Sequence, residues 1–191
     1  MEKYLYAIPN RCTGCNRCTY VCSMAKEGMF IPSKARLHVA NFAQEGYSVP
    51  NICFHCKNAD CMAACPEGAI VRNERDIVVI DSRKCDGCGD CVDACPYGMI
   101  QQYASKVAYK CDLCGGNPAC VDECQFGAIV FKQPDKIVRK LRGEQMKQRQ
   151  KEGAAAEKRR RLAEALLKSA VRVPRTLHYM GVEAPEVEVS G

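Results

Sequence analysis

The sequence predicts an α+β fold in which short β-hairpins and short helices wrap four cysteine loops, followed by a long helical C-terminal extension. Three observations carry that expectation: sixteen cysteines in four similar groups, a thin apolar inventory, and a basic tail without cysteine. The 191 residues suffice for one domain or two small ones. Leu, Ile, Val and Phe together number 38, so apolar content sits at the edge of what supports an ordinary core. Cysteine at this density belongs to disulfide scaffolds or to proteins organised around metal. The opening MEKYLYAIP has no cationic start and no apolar run of signal-peptide length. No stretch approaches the roughly 18 apolar residues of a membrane span. The expected setting is the cytoplasm, where thiols stay reduced and serve metal or redox chemistry.

The elements follow in chain order. Tyr4 to Ile8 reads as a strand able to pair with Ala128 to Phe131. The cysteine groups are Cys12, Cys15, Cys18, Cys22; Cys53, Cys56, Cys61, Cys65; Cys85, Cys88, Cys91, Cys95; and Cys111, Cys114, Cys120, Cys124. This is an internal repeat. Short helices are expected near Cys18 to Ala25, Cys61 to Ala64, Cys91 to Ala94 and Cys120 to Glu123. The segments CPEGAI from Cys65, CPYGMI from Cys95 and CQFGAI from Cys124 each open a candidate hairpin. In the first, Ala69 to Val71 and Ile77 to Ile80 flank a polar turn; in the second, Met99 to Tyr103 and Lys106 to Tyr109 do so.

Three cysteines within seven residues and a fourth four positions later match the bacterial iron–sulfur run, whose fourth Cys ligates the other cluster of a pair. Sixteen cysteines at four per cluster make four [4Fe–4S] centres. Zinc sites combine separated ligand pairs, and neither zinc nor a disulfide framework fits the triple clustering of the first and third groups. Pro66 and Pro96 follow the last cysteines of groups two and three, where groups one and four have Ser23 and Gln125. The inner groups also flank a hairpin, as one two-cluster unit requires. The expected arrangement is therefore nested: residues 52–110 form an inner two-cluster, bacterial-ferredoxin-like unit inserted in an outer one, within a domain spanning 1–135. One outer cluster takes Cys12, Cys15, Cys18 and Cys124, the other Cys111, Cys114, Cys120 and Cys22. The inner clusters take Cys53, Cys56, Cys61 with Cys95, and Cys85, Cys88, Cys91 with Cys65. Serial pairing of group one with two and three with four is the competing arrangement.

The four groups, with YKCDLC at Tyr109 to Cys114 and PACVDEC at Pro118 to Cys124, resemble the four-cluster polyferredoxin subunits of the dimethyl-sulfoxide-reductase type over about residues 2 to 135. The short N-terminus and compact core are most similar to the small iron–sulfur subunit of bacterial tungsten aldehyde oxidoreductases. The resemblance implies an electron-transfer subunit that is not itself an enzyme. It would work between a large tungsten or molybdenum pterin subunit that oxidises aldehydes and an FAD subunit or other acceptor. A hydrogenase, formate dehydrogenase or carbon monoxide dehydrogenase partner is the alternative within the class. Relatives that replace a ligand of the third group by Trp carry a three-iron cluster; this chain keeps all four cysteines and has no Trp.

The formal charge of +6 invites a nucleic-acid reading, but each oxidised cube with its four thiolates is dianionic, so four clusters outweigh it. The basic excess belongs to residues 136–172, with 13 basic and 4 acidic side chains. That segment lacks Pro and reads as one long basic amphipathic helix weakened at Gly143 and Gly153 and stopped by Pro174. Leu162, Leu166 and Ala170, with Ala163 and Leu167, make a narrow apolar stripe. The stripe folds back on the core, or docks on a partner subunit or a second copy, in which case head-to-tail contacts build a filament. Residues 173–191 read as an extended arm. No nucleic-acid motif accompanies the charge. A cluster-bearing assembly or redox-sensing protein is the rival class, disfavoured by complete four-cysteine ligation. His55, between Cys53 and Cys56, reads as a packing residue.

Overall fold

The computed structural model describes residues 3–102, 107–133, 136–147 and 153–170. In chain order the strands are β1 (Tyr4–Ala7), β2 (His38–Phe42), β3 (Tyr47–Asn51), β4 (Ile70–Arg72), β5 (Val78–Ile80), β6 (Gln101–Gln102), β7 (Ala108–Tyr109) and β8 (Ile129–Lys132). The helices are α1 (Arg17–Glu27), α2 (Asp60–Ala63), α3 (Asp90–Ala94), α4 (Ala119–Asp122), α5 (Lys136–Lys147) and α6 (Ala155–Ala170).

The strands form four two-stranded antiparallel ladders: β1 with β8, β2 with β3, β4 with β5 and β6 with β7. Tyr4 lies opposite Lys132 and Ala7 opposite Ile129, so the start of the chain is tied to the end of the cysteine region. The other three ladders are local hairpins. An isolated two-stranded ribbon is marginal in water, so each needs a neighbour. Helix α1 packs on α4, and α2 on α3. Arg17 of α1 pairs with Glu123, and Lys26 of α1 with Asp112 at 2.7 Å. Groups one and four are thus held side by side, as are groups two and three.

Two apolar clusters fill the space between. Leu5, Tyr6, Ala35, Leu37, Ile52, Ile77, Leu113 and Ile129 form one, with Cys18, Cys22 and Cys120 among them. Phe54, Ile70, Val78, Tyr97, Met99 and Ile100 form the other, with Cys53, Cys91 and Cys95. Phe54 and Tyr97 meet edge to face at 4.8 Å. Thiols are therefore part of both cores.

The tail departs from the expectation of one long helix. Gly153, at φ +98, lies outside any helix just before α6 begins at Ala155, and the described part of α5 is Lys136–Lys147. Gly143, the other expected weak point, lies inside α5. The two helices pack on each other, and α6 also packs on β2 and β3. Leu162, Ala163 and Leu166 are at most 5 % exposed and belong to the core of Phe54 and Tyr97. The described part of the stripe considered for docking on a second copy is covered by the chain itself, so Leu162, Ala163 and Leu166 give no support to a filament. Burial within one chain avoids the translational and rotational cost of association. The side chains of Leu167 and Ala170, residues 103–106 with the expected arm ends Tyr103 and Lys106, Pro174 and the segment 173–191 expected as an arm lie outside the described residues.

The hairpin of β2 and β3 is an addition to the elements expected from the sequence. Its signal, HVANF and YSVPN around a turn ending at Gly46, is present but stands outside the cysteine repeat. Gly46 has φ +70, the left-handed conformation such a turn uses.

Candidate metal centres

The four groups share a backbone as well as a spacing. The residue before the second cysteine is left-handed in every one: Gly14 (φ +72), His55 (φ +45), Gly87 (φ +83) and Leu113 (φ +55). Glycine adopts this without strain; His55 and Leu113 are held there by burial. The reversal turns the C-x-x-C loop back so that successive thiols face one region. Gly14 also lies against the β2–β3 hairpin, where a Cβ would meet the Ser48 hydroxyl at 2.4 Å.

The last cysteine of each group receives a backbone N–H on its sulfur. Ala69 donates to Cys65 Sγ at 3.3 Å, Met99 to Cys95 Sγ at 3.3 Å and Ala128 to Cys124 Sγ at 3.2 Å, each from four residues on. The CPEG, CPYG and CQFG turns make this possible. In group one α1 runs on past Cys22, and the donor is instead Arg36 N–H at 3.2 Å. Leu113 N–H donates to Cys111 Sγ at 3.4 Å. Such bonds favour the thiolate over the thiol.

Sulfurs from distant groups line common cavities. Cys12, Cys15, Cys18 and Cys124 line one. Cys53, Cys56, Cys61 and Cys95 line a second, and Cys65, Cys85, Cys88 and Cys91 a third. The remaining four are electrostatic neighbours: Cys111, Cys22 and Cys114 all act on Cys120. Electrostatic influence also runs between sets, Cys18 acting on Cys120 and Cys53 on Cys111. Cys15 and Cys88 are exposed, while the sets of Cys61 and Cys120 contain no exposed cysteine.

Burial disfavours the thiolate at several of these cysteines. Burial, then the charge of neighbouring cysteines, pushes Cys18 and Cys61 up to about 12 and Cys91 to about 11. Burial, then Cys53, pushes Cys111 up to about 12. Cys120 is raised further for the same reasons. Positive charge entering the cavity favours the thiolate at these cysteines, as the iron of a cluster would supply. Among the described residues no three His, Cys, Asp or Glu side chains converge as closely as a single metal ion requires. The donor set and its spread around each cavity fit an iron–sulfur cube.

Every cysteine singled out from the sequence is found at one of these places. The groups that sequence reasoning missed are cations. Lys110 is buried and lines the cavity of Cys53, Cys56, Cys61 and Cys95. Arg142 and Arg159 come from the tail, Arg142 donating to the Phe54 carbonyl and Arg159 to the Gly98 carbonyl at 2.8 Å. Their signal, a basic run on helices, pointed outward to partners instead. His55 is buried, and burial together with the Lys110 and Arg142 charges lowers it to about 2, which keeps it neutral.

Two family models match: a 4Fe-4S dicluster domain over residues 44–134 and a 4Fe-4S binding domain over residues 9–25. The chain is 38 % identical over 117 residues to the polyferredoxin-like subunit of an aliphatic sulfonate oxidoreductase from Pyrococcus furiosus, covering 60 % of this chain and 67 % of that one. It is 38 % identical over 150 residues to a tetrathionate reductase subunit of Archaeoglobus fulgidus, covering 73 % and 72 %. The electron transfer subunit of thiosulfate reductase from Salmonella typhi matches at 32 % over 139 residues, 65 % and 72 %. With four cysteine sets in place, the chain belongs to the polyferredoxin-like iron–sulfur electron-transfer subunits of oxidoreductase complexes and carries four [4Fe–4S] clusters.

Proposed function

We propose that this subunit relays single electrons along one line of four centres between a pterin-containing catalytic subunit and a flavin subunit or other acceptor. The ligand sets are Cys12, Cys15, Cys18, Cys124; Cys111, Cys114, Cys120, Cys22; Cys53, Cys56, Cys61, Cys95; and Cys85, Cys88, Cys91, Cys65, so the inner unit is nested in the outer. The observation that carries this reading is the lining of three separate cavities by three cysteines of one group and the last cysteine of another. Bound there, each cluster supplies outer-sphere one-electron transfer, with no iron position open to substrate. The protein's part is to hold thiolates by N–H···S bonds, exclude water from the two interior sets and bring neighbouring sets within electrostatic reach of one another. The electrostatic influence of Cys18 on Cys120 and of Cys53 on Cys111 supports this order of the line. The sets holding the exposed Cys15 and Cys88 then stand at its two ends, where partners would give and take electrons.

The metal and substrate belong to the catalytic partner. An aldehyde-oxidising tungsten subunit follows from the resemblance to the small subunits of such enzymes, and a cytoplasmic setting suits sixteen reduced thiols. Among the described residues no helix is long and apolar enough to cross a membrane. Anaerobic co-purification with a tagged copy tests the reading. A much larger chain with stoichiometric tungsten or molybdenum, and an FAD chain, are expected; a free monomer with neither metal nor flavin contradicts it. Tungsten with aldehyde:acceptor activity supports the aldehyde form, and reduction of a sulfur oxyanion replaces it.

A further inference from the structure

The four cysteine sets sit in unlike electrostatic surroundings. Around Cys53, Cys56, Cys61 and Cys95 three cations converge. The Lys110 ammonium, on the cavity wall, donates to the carbonyls of Val78 and Cys111. Arg142 caps the Phe54 carbonyl, next to Cys53, and lies 4.2 Å from the centre of the Tyr4 ring. Arg159 caps the carbonyl of Gly98 in the turn that follows Cys95. All three donate to carbonyls, and among the described residues none forms an ion pair with a carboxylate. One carboxylate, Asp60, shares the cavity wall. Arg72, which donates to the Cys56 carbonyl, is itself paired with Asp76.

Lys110 is shared with the neighbouring set, since its ammonium donates to the Cys111 carbonyl and also acts on Cys111; the tail arginines, acting on Cys53, Cys56 and Cys95, set their centre apart. The cavity of Cys65, Cys85, Cys88 and Cys91 is lined by Asp86 and by no Lys or Arg. Beside Cys12, Cys15, Cys18 and Cys124, Arg17 is paired with Glu123, and Arg11 is exposed to solvent. Near Cys22 and Cys114, Lys26 is paired with Asp112 and Arg36 with Glu27.

We propose that Lys110, Arg142 and Arg159 make the centre held by Cys53, Cys56, Cys61 and Cys95 the most easily reduced of the four. The proposal rests on the ligand set assigned above. Reduction adds one electron and one negative charge; no bond forms or breaks and no proton is required. Cations without a carboxylate partner among the described residues, Lys110 in the wall and the two arginines behind it, stabilise that added charge more than screened or paired ones do, and local charge and hydrogen bonding are what set cluster potentials. The helical tail thereby acquires a role in electron transfer: it supplies two of the three charges and covers the interior centre, where an electron arriving from either end rests.

The test uses the full-length protein, purified anaerobically and titrated with dithionite through redox mediators while EPR reads each cluster. Cys56→Ser marks the relevant signal, because serine oxygen in place of one thiolate alters that signal alone. In the unmodified protein the marked signal appears first as the potential falls. Lys110→Met, and separately the pair Arg142→Gln with Arg159→Gln, each lower its reduced-to-oxidised ratio about tenfold at fixed potential, about 59 mV for one electron. Lys110→Arg and the pair Arg142→Lys with Arg159→Lys leave it in place. Should Lys110→Met lose iron, the arginine pair decides. A marked signal that does not move, an equal shift of all four, or another signal appearing first overturns the ranking. If Cys56→Ser alters no signal or more than one, the ligand set fails and the ranking falls with it.

Discussion

The cysteine loops and the C-terminal helices acquire their places in opposite ways. Each loop is fixed by its own short sequence: a left-handed residue before the second cysteine, and in three of the four groups a turn that delivers an N–H to the last sulfur. Burial pushes the Cys18, Cys61 and Cys111 thiols up, so their ionised form depends on the positive charge that metal brings. The tail carries no cysteine and packs on the core of the loops. It is held by Leu162, Ala163 and Leu166 in the core, by the buried Lys158 donating to the Asp93 carbonyl at 2.6 Å, and by Tyr97 donating to the Met146 carbonyl at 2.9 Å. The difference teaches that local pattern can set ligand geometry, while distant packing sets the field in which the ligands work.

Removing iron separates the two regions most sharply. With metal binding coupled to folding and an apolar core this thin, iron chelation should abolish most far-UV circular dichroism and expose residues 3–133 to protease. A metal-free protein that keeps native secondary structure and protease resistance would show that the loops stand without metal. Leu162→Ala comes next, with an expected loss of about 2–5 kcal/mol; chemical denaturation checks it, and four clusters should still be found by iron and sulfide analysis of the folded variant. Gly98→Ala probes the seam between the regions. A Cβ there meets the Ala155 carbonyl oxygen at 2.2 Å on a residue of φ +63, so thermal unfolding should register roughly 1–3 kcal/mol of destabilisation. Tyr97→Phe removes one hydrogen bond to α5 and should cost about 0.5–1.5 kcal/mol. Arg160→Ala removes an exposed pair with Glu164 and should change stability by no more than about 0.5 kcal/mol. An equal cost for Arg160→Ala and Leu162→Ala would mean that α6 is not held by its apolar face.

The ladders β1–β8, β4–β5 and β6–β7 and the four short helices were legible because each is punctuated by cysteine, Gly or Pro at fixed offsets. Hairpin β2–β3 was not, since it lies between Cys22 and Cys53, where the repeat offers no punctuation. The tail's helicity was legible from composition, but its destination was not. Leu162 and Leu166 announce a buried face without naming the surface that receives it, and that surface is assembled from Phe54, Tyr97 and Val49, far away in sequence. Lys110 stands beside a motif cysteine, yet a lysine carries no burial signal of its own. The sixteen cysteines, by contrast, were visible as ligand candidates at once; which of them share a centre depends on strand β1 meeting β8 and α2 meeting α3.

The central claim is that each centre is completed by a cysteine from another group, and Cys124→Ser tests it most directly. Cys124 lines the cavity of Cys12, Cys15 and Cys18, more than a hundred residues earlier in the chain. EPR of the reduced variant, with iron and sulfide counted alongside, should show the loss or alteration of one signal, the same signal that Cys15→Ser alters. A change in the signal that Cys114→Ser alters, with that of Cys15→Ser intact, would contradict it.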